Sequence, residues 1–216
     1  AGLLQLPSGR VLAVVQSRIA QMFDVYYSDN EGTTWAPYSY VVGQAEYSLT
    51  TITPTRIRAA YSAGEVLLIV GYTPAGGGTP QAAIYASTDL GQRFEQVIAT
   101  WGVAAEQPVS FDVLPVASGG FLIIYVDTQP ATSTAYVRRL GSAFTTPVSV
   151  SGVVLNSACD DDLGCWRDED GRIFALLQGE AASDGVVGRL RFSDDEGDTW
   201  AVYGPEETIA LHNTAV

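Results

Sequence analysis

The side chains able to do chemistry are few and unevenly placed. The densest group is Cys159-Asp160-Asp161-Asp162-Leu163-Gly164-Cys165. Consecutive carboxylates suit Ca²⁺, a hard cation that takes oxygen ligands, which makes Asp160, Asp161 and Asp162 the metal candidates. Their spacing does not match an EF-hand loop, and a solvated acidic loop is the competing reading; no other cofactor is expected. Cys159 and Cys165 flank a turn six positions apart, which permits a disulfide in an oxidising compartment. Without companion ligands, the pair is poorly spaced for zinc. Trp101 would stack on a sugar ring if exposed, or wedge between packed layers if buried. His212 is the only histidine, and no Ser or Cys nucleophile has a matching partner, which argues against triad chemistry. The run from Thr73 to Pro80 is rich in glycine, but no helix pattern follows to make it a phosphate cradle.

Charge narrows the partners further. The 216 residues carry 24 acids against 11 basic side chains, all arginine, for a formal net charge of −13. Such a chain repels phosphate backbones, so nucleic acid is not an expected partner. A local arginine group still suits a carboxylate, because guanidinium binds it through two parallel hydrogen bonds. No apolar run approaches the ~20 residues that span a bilayer. The chain begins at Ala1 without Met, and the expectation is a processed, excised or partial polypeptide.

These residues have to be positioned by a repeat. Three octets align without gaps: Ser28-Asp29-Asn30-Glu31-Gly32-Thr33-Thr34-Trp35, Ser87-Thr88-Asp89-Leu90-Gly91-Gln92-Arg93-Phe94 and Ser193-Asp194-Asp195-Glu196-Gly197-Asp198-Thr199-Trp200. Their starts lie 59 and 106 residues apart, which leaves room for one decayed copy near Gly141–Phe144. Glycine turns at Gly9, Gly64, Gly119 and Gly171 recur at steps of 55, 55 and 52, each followed by an apolar strand-like run. Hairpin turns at this period, with no helical periodicity, predict an all-β chain: a β-propeller of four-stranded antiparallel blades, four of them visible. The blades are expected at about 1–45, 56–100, 108–150 and 162–205 of one 1–216 unit.

Within the octet, Asn30, Asp89 and Asp195 are expected to fold their side chains onto nearby N–H groups and hold the turn. Gly32, Gly91 and Gly197 take left-handed backbone cheaply. Ser28, Ser87 and Ser193 open the motif, and Trp35, Phe94 and Trp200 close it by tucking between blade layers.

The octets resemble the Asp-box, or BNR repeat, of sialidase-like propellers, whose form is roughly Ser-x-Asp-x-Gly-x-Thr-Trp. The third copy matches throughout; the first has Asn30 for Asp, and the second has Arg93 and Phe94 at its end. The resemblance implies that the boxes lie on the face away from the active one. It also implies that a sialidase needs three carboxylate-gripping arginines, a Tyr–Glu pair, an Asp acid–base and an Arg-Ile-Pro signature. Thr55-Arg56-Ile57-Arg58 is similar to that signature, with Arg58 in place of proline. Arg56 is thereby a candidate gripping arginine, with an ordinary strand-end role as the alternative. The loop Thr73–Gln81 lacks the acid the family would place there, and no Tyr–Glu pair is assignable.

In a four-stranded blade the loops between second and third strands share one face with the inter-blade connections. Arg18, Asp127 and Glu180 fall in those loops and Trp101 in a connection, so with Arg56 they form the candidate ligand set. Four blades are few for the resembled family, so missing blades or other subunits are expected partners. The leading expectation is a non-catalytic propeller that binds a glycan or protein surface, as an adhesion module of an extracellular or virion protein of the phage tail or fibre kind. The alternatives are an exo-sialidase whose catalytic groups lie partly outside the chain, and a purely architectural subunit.

Overall fold

The computed structural model describes residues 2–16, 23–40, 52–74, 81–101, 108–127, 134–141, 148–157, 163–180 and 186–204. Sixteen strands form four separate four-stranded antiparallel sheets, each made of four consecutive strands. Blade one holds β1 (Gly2–Gln5), β2 (Val11–Gln16), β3 (Phe23–Ser28) and β4 (Ala36–Tyr40). Blade two holds β5 (Ile52–Ser62), β6 (Glu65–Pro74), β7 (Gln81–Ser87) and β8 (Glu95–Trp101). Blade three holds β9 (Pro108–Pro115), β10 (Phe121–Asp127), β11 (Thr134–Leu140) and β12 (Val148–Ser157). Blade four holds β13 (Leu163–Arg167), β14 (Ile173–Glu180), β15 (Val186–Ser193) and β16 (Ala201–Val202).

Two boundaries differ from the sequence expectation. β5 starts at Ile52, ahead of position 56, because pairing continues through a register shift between Pro54 and Arg56. Proline has no N–H for the ladder, so the pairing is interrupted there without ending. β12 runs to Ser157, past position 150, and stays paired to β11 across two shifts. Shifts also mark β3–β4 and β7–β8. Such bulges increase local twist, which splays the outer strands from the inner ones.

The burial pattern shows how blades stack. Every residue of β10 is buried, and in β7 every residue but the first. These middle strands are apolar on both faces because a neighbouring blade covers each face, so they read as continuous apolar runs. Three cores result. One joins blades one and two through Leu12, Val14, Leu68 and Phe94; one joins two and three through Leu67, Ile69, Phe111 and Ile123; one joins three and four through Leu122, Ile124, Ile173 and Leu177. Among the described residues no core joins blade four to blade one. Among the described residues the four blades form an arc, with β1, β5, β9 and β13 packed in order along the inside.

The octets hold their turns as expected. Ser Oγ accepts the glycine N–H at 2.8 Å in all three copies. The Asn or Asp side-chain oxygen accepts the N–H of Thr34, Arg93 or Thr199 at 2.8 to 2.9 Å. The residue before each glycine, Glu31, Leu90 or Glu196, is also left-handed, with φ between 55° and 61°. Two successive left-handed residues match the primed turns that suit the twist of a hairpin.

The closing aromatics occupy equivalent points but differ in cover. Phe94 is fully buried in the first core, and Trp200 packs against the third while its Nε1 donates to Gly197 O at 3.0 Å. Trp35 does not tuck between layers; it is 42% exposed. The reason is positional: each box packs on the blade before it, and no described blade precedes blade one. A Cβ on Gly91 would lie 2.7 Å from Leu12 Cδ1 in blade one, and one on Gly197 would lie 2.7 Å from Leu122 Cδ2 in blade three. The equivalent Cβ on Gly32 meets nothing but Trp35.

Candidate functional site

The first strands carry the side chains that meet near the axis. Residues of one strand face point the same way at every second position, so Arg56 and Arg58 leave β5 together, toward β9. Arg56 Nη1 donates to the Ser110 hydroxyl, and its Nη2 to Leu163 O at 3.4 Å. Arg58 pairs through Nε with Asp112 Oδ1 at 3.3 Å and donates from Nη1 to Ile57 O at 3.0 Å. Asp112 Oδ2 accepts the Cys165 backbone N–H at 3.0 Å.

Two parallel rungs therefore link blades two, three and four. The first joins Arg56, Ser110 and Leu163; the second joins Arg58, Asp112 and Cys165. Asp112 is mostly buried and Arg58 about one-third exposed. A carboxylate in that setting needs its partners, since stripping them would leave a desolvated charge.

The second rung also decides the state of Cys165. Its thiol is free, and its backbone N–H is the group bound to the Asp112 carboxylate. Burial, and then that carboxylate, push the thiol well above the ordinary cysteine range. The disulfide that the sequence left open is not formed at Cys165, which packs against the core between blades three and four. Cys159, Asp160, Asp161 and Asp162 lie outside the described residues, as does Arg18. Among the described residues no cluster of His, Cys, Asp and Glu could hold a metal.

The remaining candidates are dispersed at strand ends. Trp101 is the last residue of β8 and pairs with Ala82, and Glu180 is the last of β14 and pairs with Val186. Asp127 closes β10 opposite Thr134 and is buried, so its carboxylate is withdrawn from the surface. Antiparallel order puts these ends, and the Arg56 end of β5, on the face opposite the octets. On the octet side, a shallow cavity of about 270 Å³ lies beside the second box, lined by Thr88, Asp89, Arg93 and Glu95 among others. Its Arg93 and Glu95 pair with each other at 3.1 Å, and Asp89 is engaged in its turn.

Sequence reasoning missed Asp112, Ser110 and Cys165 as an axial group. The signal was present: Ser110 and Asp112 stand 54 residues after Arg56 and Arg58, one blade later at the same strand positions.

The architecture matches solved structures over nearly the whole chain. A Hadza microbial sialidase aligns with TM-score 0.69 at 14% identity, covering 96% of this chain and 46% of its own. An exo-beta-1,3-galactanase from Clostridium thermocellum gives 0.65 at 15%, covering 96% and 48%. A Penicillium chrysogenum alpha-L-arabinanase, complexed with arabinobiose, gives 0.66 at 19%, covering 94% and 65%. The fold is a β-propeller. At these identities the likeness carries the fold alone, and the chain spans about half to two-thirds of those propellers' lengths. No protein-family model matches the sequence, and no curated protein matches it either. No helix among the described residues is long and apolar enough to cross a membrane.

Proposed function

We propose that this propeller is a non-catalytic glycan-binding module, displaying its ligand face opposite the octets, in an extracellular or virion-surface protein. The observation that carries the reading is the state of the two axial arginines. Arg56 reaches the Ser110 hydroxyl and the Leu163 carbonyl, and Arg58 is paired with Asp112. A sialidase-type centre needs guanidinium groups aimed at a substrate carboxylate, whereas these fasten one blade to the next. What is left for recognition is the strand-end and loop surface, where Trp101 supplies a stacking ring for a sugar face. Solved propellers of like architecture include a sialidase, an exo-beta-1,3-galactanase and an alpha-L-arabinanase, which supports a sugar as the ligand.

The test combines a glycan array with turnover assays on fluorogenic sialosides and arabinosides, using the whole chain. Expected are retention on a subset of glycans, no turnover, and a roughly 5- to 150-fold loss of retention in Trp101→Ala, the effect of losing ~1–3 kcal/mol of stacking. Hydrolysis above the uncatalysed rate, abolished by Arg56→Ala, would replace this reading with the glycosidase one. Failure to retain any glycan would remove the binding reading as well.

A further inference from the structure

In three of the four blades an arginine closes the edge of the sheet face beside the octet turn. Strand register makes the positions comparable: Val11 pairs with Ser28, Val66 with Ser87, Phe121 with Leu140 and Ile173 with Ser193. One residue before the first of each pair stand Arg10, Glu65, Gly120 and Arg172; one before the second stand Tyr27, Ala86, Arg139 and Phe192. Alternation along a strand puts their side chains on the face of Leu12, Leu67, Leu122 and Phe174. In blades one to three that face packs on the next blade.

The arginines are held in closely related ways. Arg10 forks onto Asp29 at 2.7 and 2.9 Å, with its guanidinium 4.4 Å from the centre of the Tyr27 ring and 5.2 Å from that of Tyr38. Arg172 forks onto Asp194 at 2.5 and 3.4 Å and lies 4.8 Å from the Phe192 ring, which Tyr203 meets edge-on. In blade three Arg139 fills the edge from the Tyr27 position, reaching Glu196 O and Asp198 Oδ1 of blade four at 2.7 Å each.

Blade two has exchanged every part of this device. Glu65 stands for the arginine, Thr88 for its carboxylate partner, and Ala86 and Val97 for the two rings. The cavity of about 270 Å³ beside the second octet lies where those larger side chains would be: Ala86, Thr88 and Val97 line it, with Asp89, Arg93 and Glu95. Two carboxylates thus face one cation. The Arg93–Glu95 pair is about two-thirds exposed on both sides, so it holds weakly and Glu95 is free to change partner. Glu65 Oε2, next to Thr88 in register, is buried without a hydrogen-bond partner. Burial raises that carboxyl, and a buried acceptor of this kind is stabilised by a donor brought beside it. The volume falls just below the ~300–1,000 Å³ of sites for drug-sized ligands. It suits one side chain or a small ion, not an extended glycan.

We propose that this cavity binds an alkylguanidinium cation from outside the chain, forked onto Glu95 over Ala86 and Val97, where Arg10 and Arg172 serve their own blades. The site lies on the octet side, away from the proposed glycan face, so neither reading depends on the other. Backbone amide shifts of Thr88, Glu95 and Val97, followed by NMR on the whole chain at low salt, test it. Agmatine carries the group on a free chain, and N-acetylarginine methylamide presents it as a peptide side chain. Both are expected to bind with millimolar Kd, while the neutral N-acetylcitrulline methylamide does not; the tighter of the two identifies the source as a free small molecule or a protein's arginine. Glu95→Gln, at an exposed position, should weaken binding about tenfold or more by removing the charge from the fork. Arg93→Ala should leave binding intact or tighten it. Glu65→Arg with Thr88→Asp rebuilds the plug of blade one and should abolish binding. The proposal is overturned if neither guanidinium shifts these amides at tens of millimolar, or if the citrulline compound shifts them equally. It also falls if Glu95→Gln binds as wild type, if Arg93→Ala loses binding, or if the folded plugged variant still binds.

Discussion

Gly197→Ala asks whether an octet glycine serves only its own turn or also the blade beside it. Gly197 and Gly171 both have φ of +89°, so alanine at either incurs a left-handed penalty of about 1–2 kcal/mol. Their surroundings differ. A Cβ on Gly171 meets nothing within 4 Å, while on Gly197 it falls 2.7 and 2.9 Å from the two methyl carbons of Leu122. Leu122 is fully buried in the third core, so its methyls have no solvent to swing into. Overpacking of this kind adds about 1–3 kcal/mol. The expected loss is thus about 2–5 kcal/mol for Gly197→Ala against about 1–2 kcal/mol for Gly171→Ala. Leu122→Ala costs about 2–5 kcal/mol alone, yet it removes the clash. The double variant should therefore be less destabilised than the sum by about 1–3 kcal/mol. Urea unfolding followed by far-UV circular dichroism reads all four variants against wild type. Equal losses for the two glycine variants, or strict additivity in the double variant, would refute the reasoning and reduce Gly197 to a turn former.

Two further outcomes follow from the octets. Phe94→Ala should cost about 3–5 kcal/mol because the ring is wholly buried, whereas the part-exposed Trp35→Ala should cost under about 1 kcal/mol; comparable losses by urea melts would contradict the blade order. The side-chain hydroxyl and then the backbone N–H of Thr199 hold the Asp195 carboxyl at about 2, against an ordinary 3.8. A folded pKa below the unfolded one means the stabilisation is present above about pH 4 and is lost as pH falls toward 2. Asp195→Asn, which copies Asn30 of the first octet, should flatten the fall of the urea midpoint in that window. The carboxylate is exposed, so solvent screening keeps the difference small, and parallel slopes for both proteins would count against it.

How much could be read from the sequence depends on the range of each interaction. The octets were legible because their bonds span two to four residues: Ser28, Asn30 and Gly32 determine one another locally, as do the copies at Ser87 and Ser193. The four-strand period was legible for the same reason, since each turn needs its own glycine. The cover of Trp35 was not, because it depends on a blade 50-odd residues away and on whether one is present at all. Cys165 shows the limit most clearly. Its spacing to Cys159 left a bond open, but its surroundings are built by the core of blades three and four and by Asp112, 53 positions earlier on another sheet. Asp127 reads as a loop acid and is a buried strand end, because β10 runs one residue further than its apolar pattern.

The two sets of inter-blade contacts divide the work of holding the arc. On the octet side, Gly91 and Gly197 seat against Leu12 and Leu122, and the fork of Arg167 onto Glu196 at 2.6 and 2.8 Å spans the end of β13 and the fourth blade's box. Arg167 also donates to Pro115 O and Glu196 accepts the Ala117 N–H, so blade three is tied in at the same point. On the opposite side no octet is available, and the rungs from Arg56 and Arg58 take that role. A disc clamped at only one face would let its blades fan apart at the other, and that other face carries the candidate ligand surface. The axial arginines therefore act structurally, by keeping β5, β9 and β13 in fixed register. Charged rungs suit this task better than apolar ones, because hydrogen bonds from a planar guanidinium fix direction as well as distance.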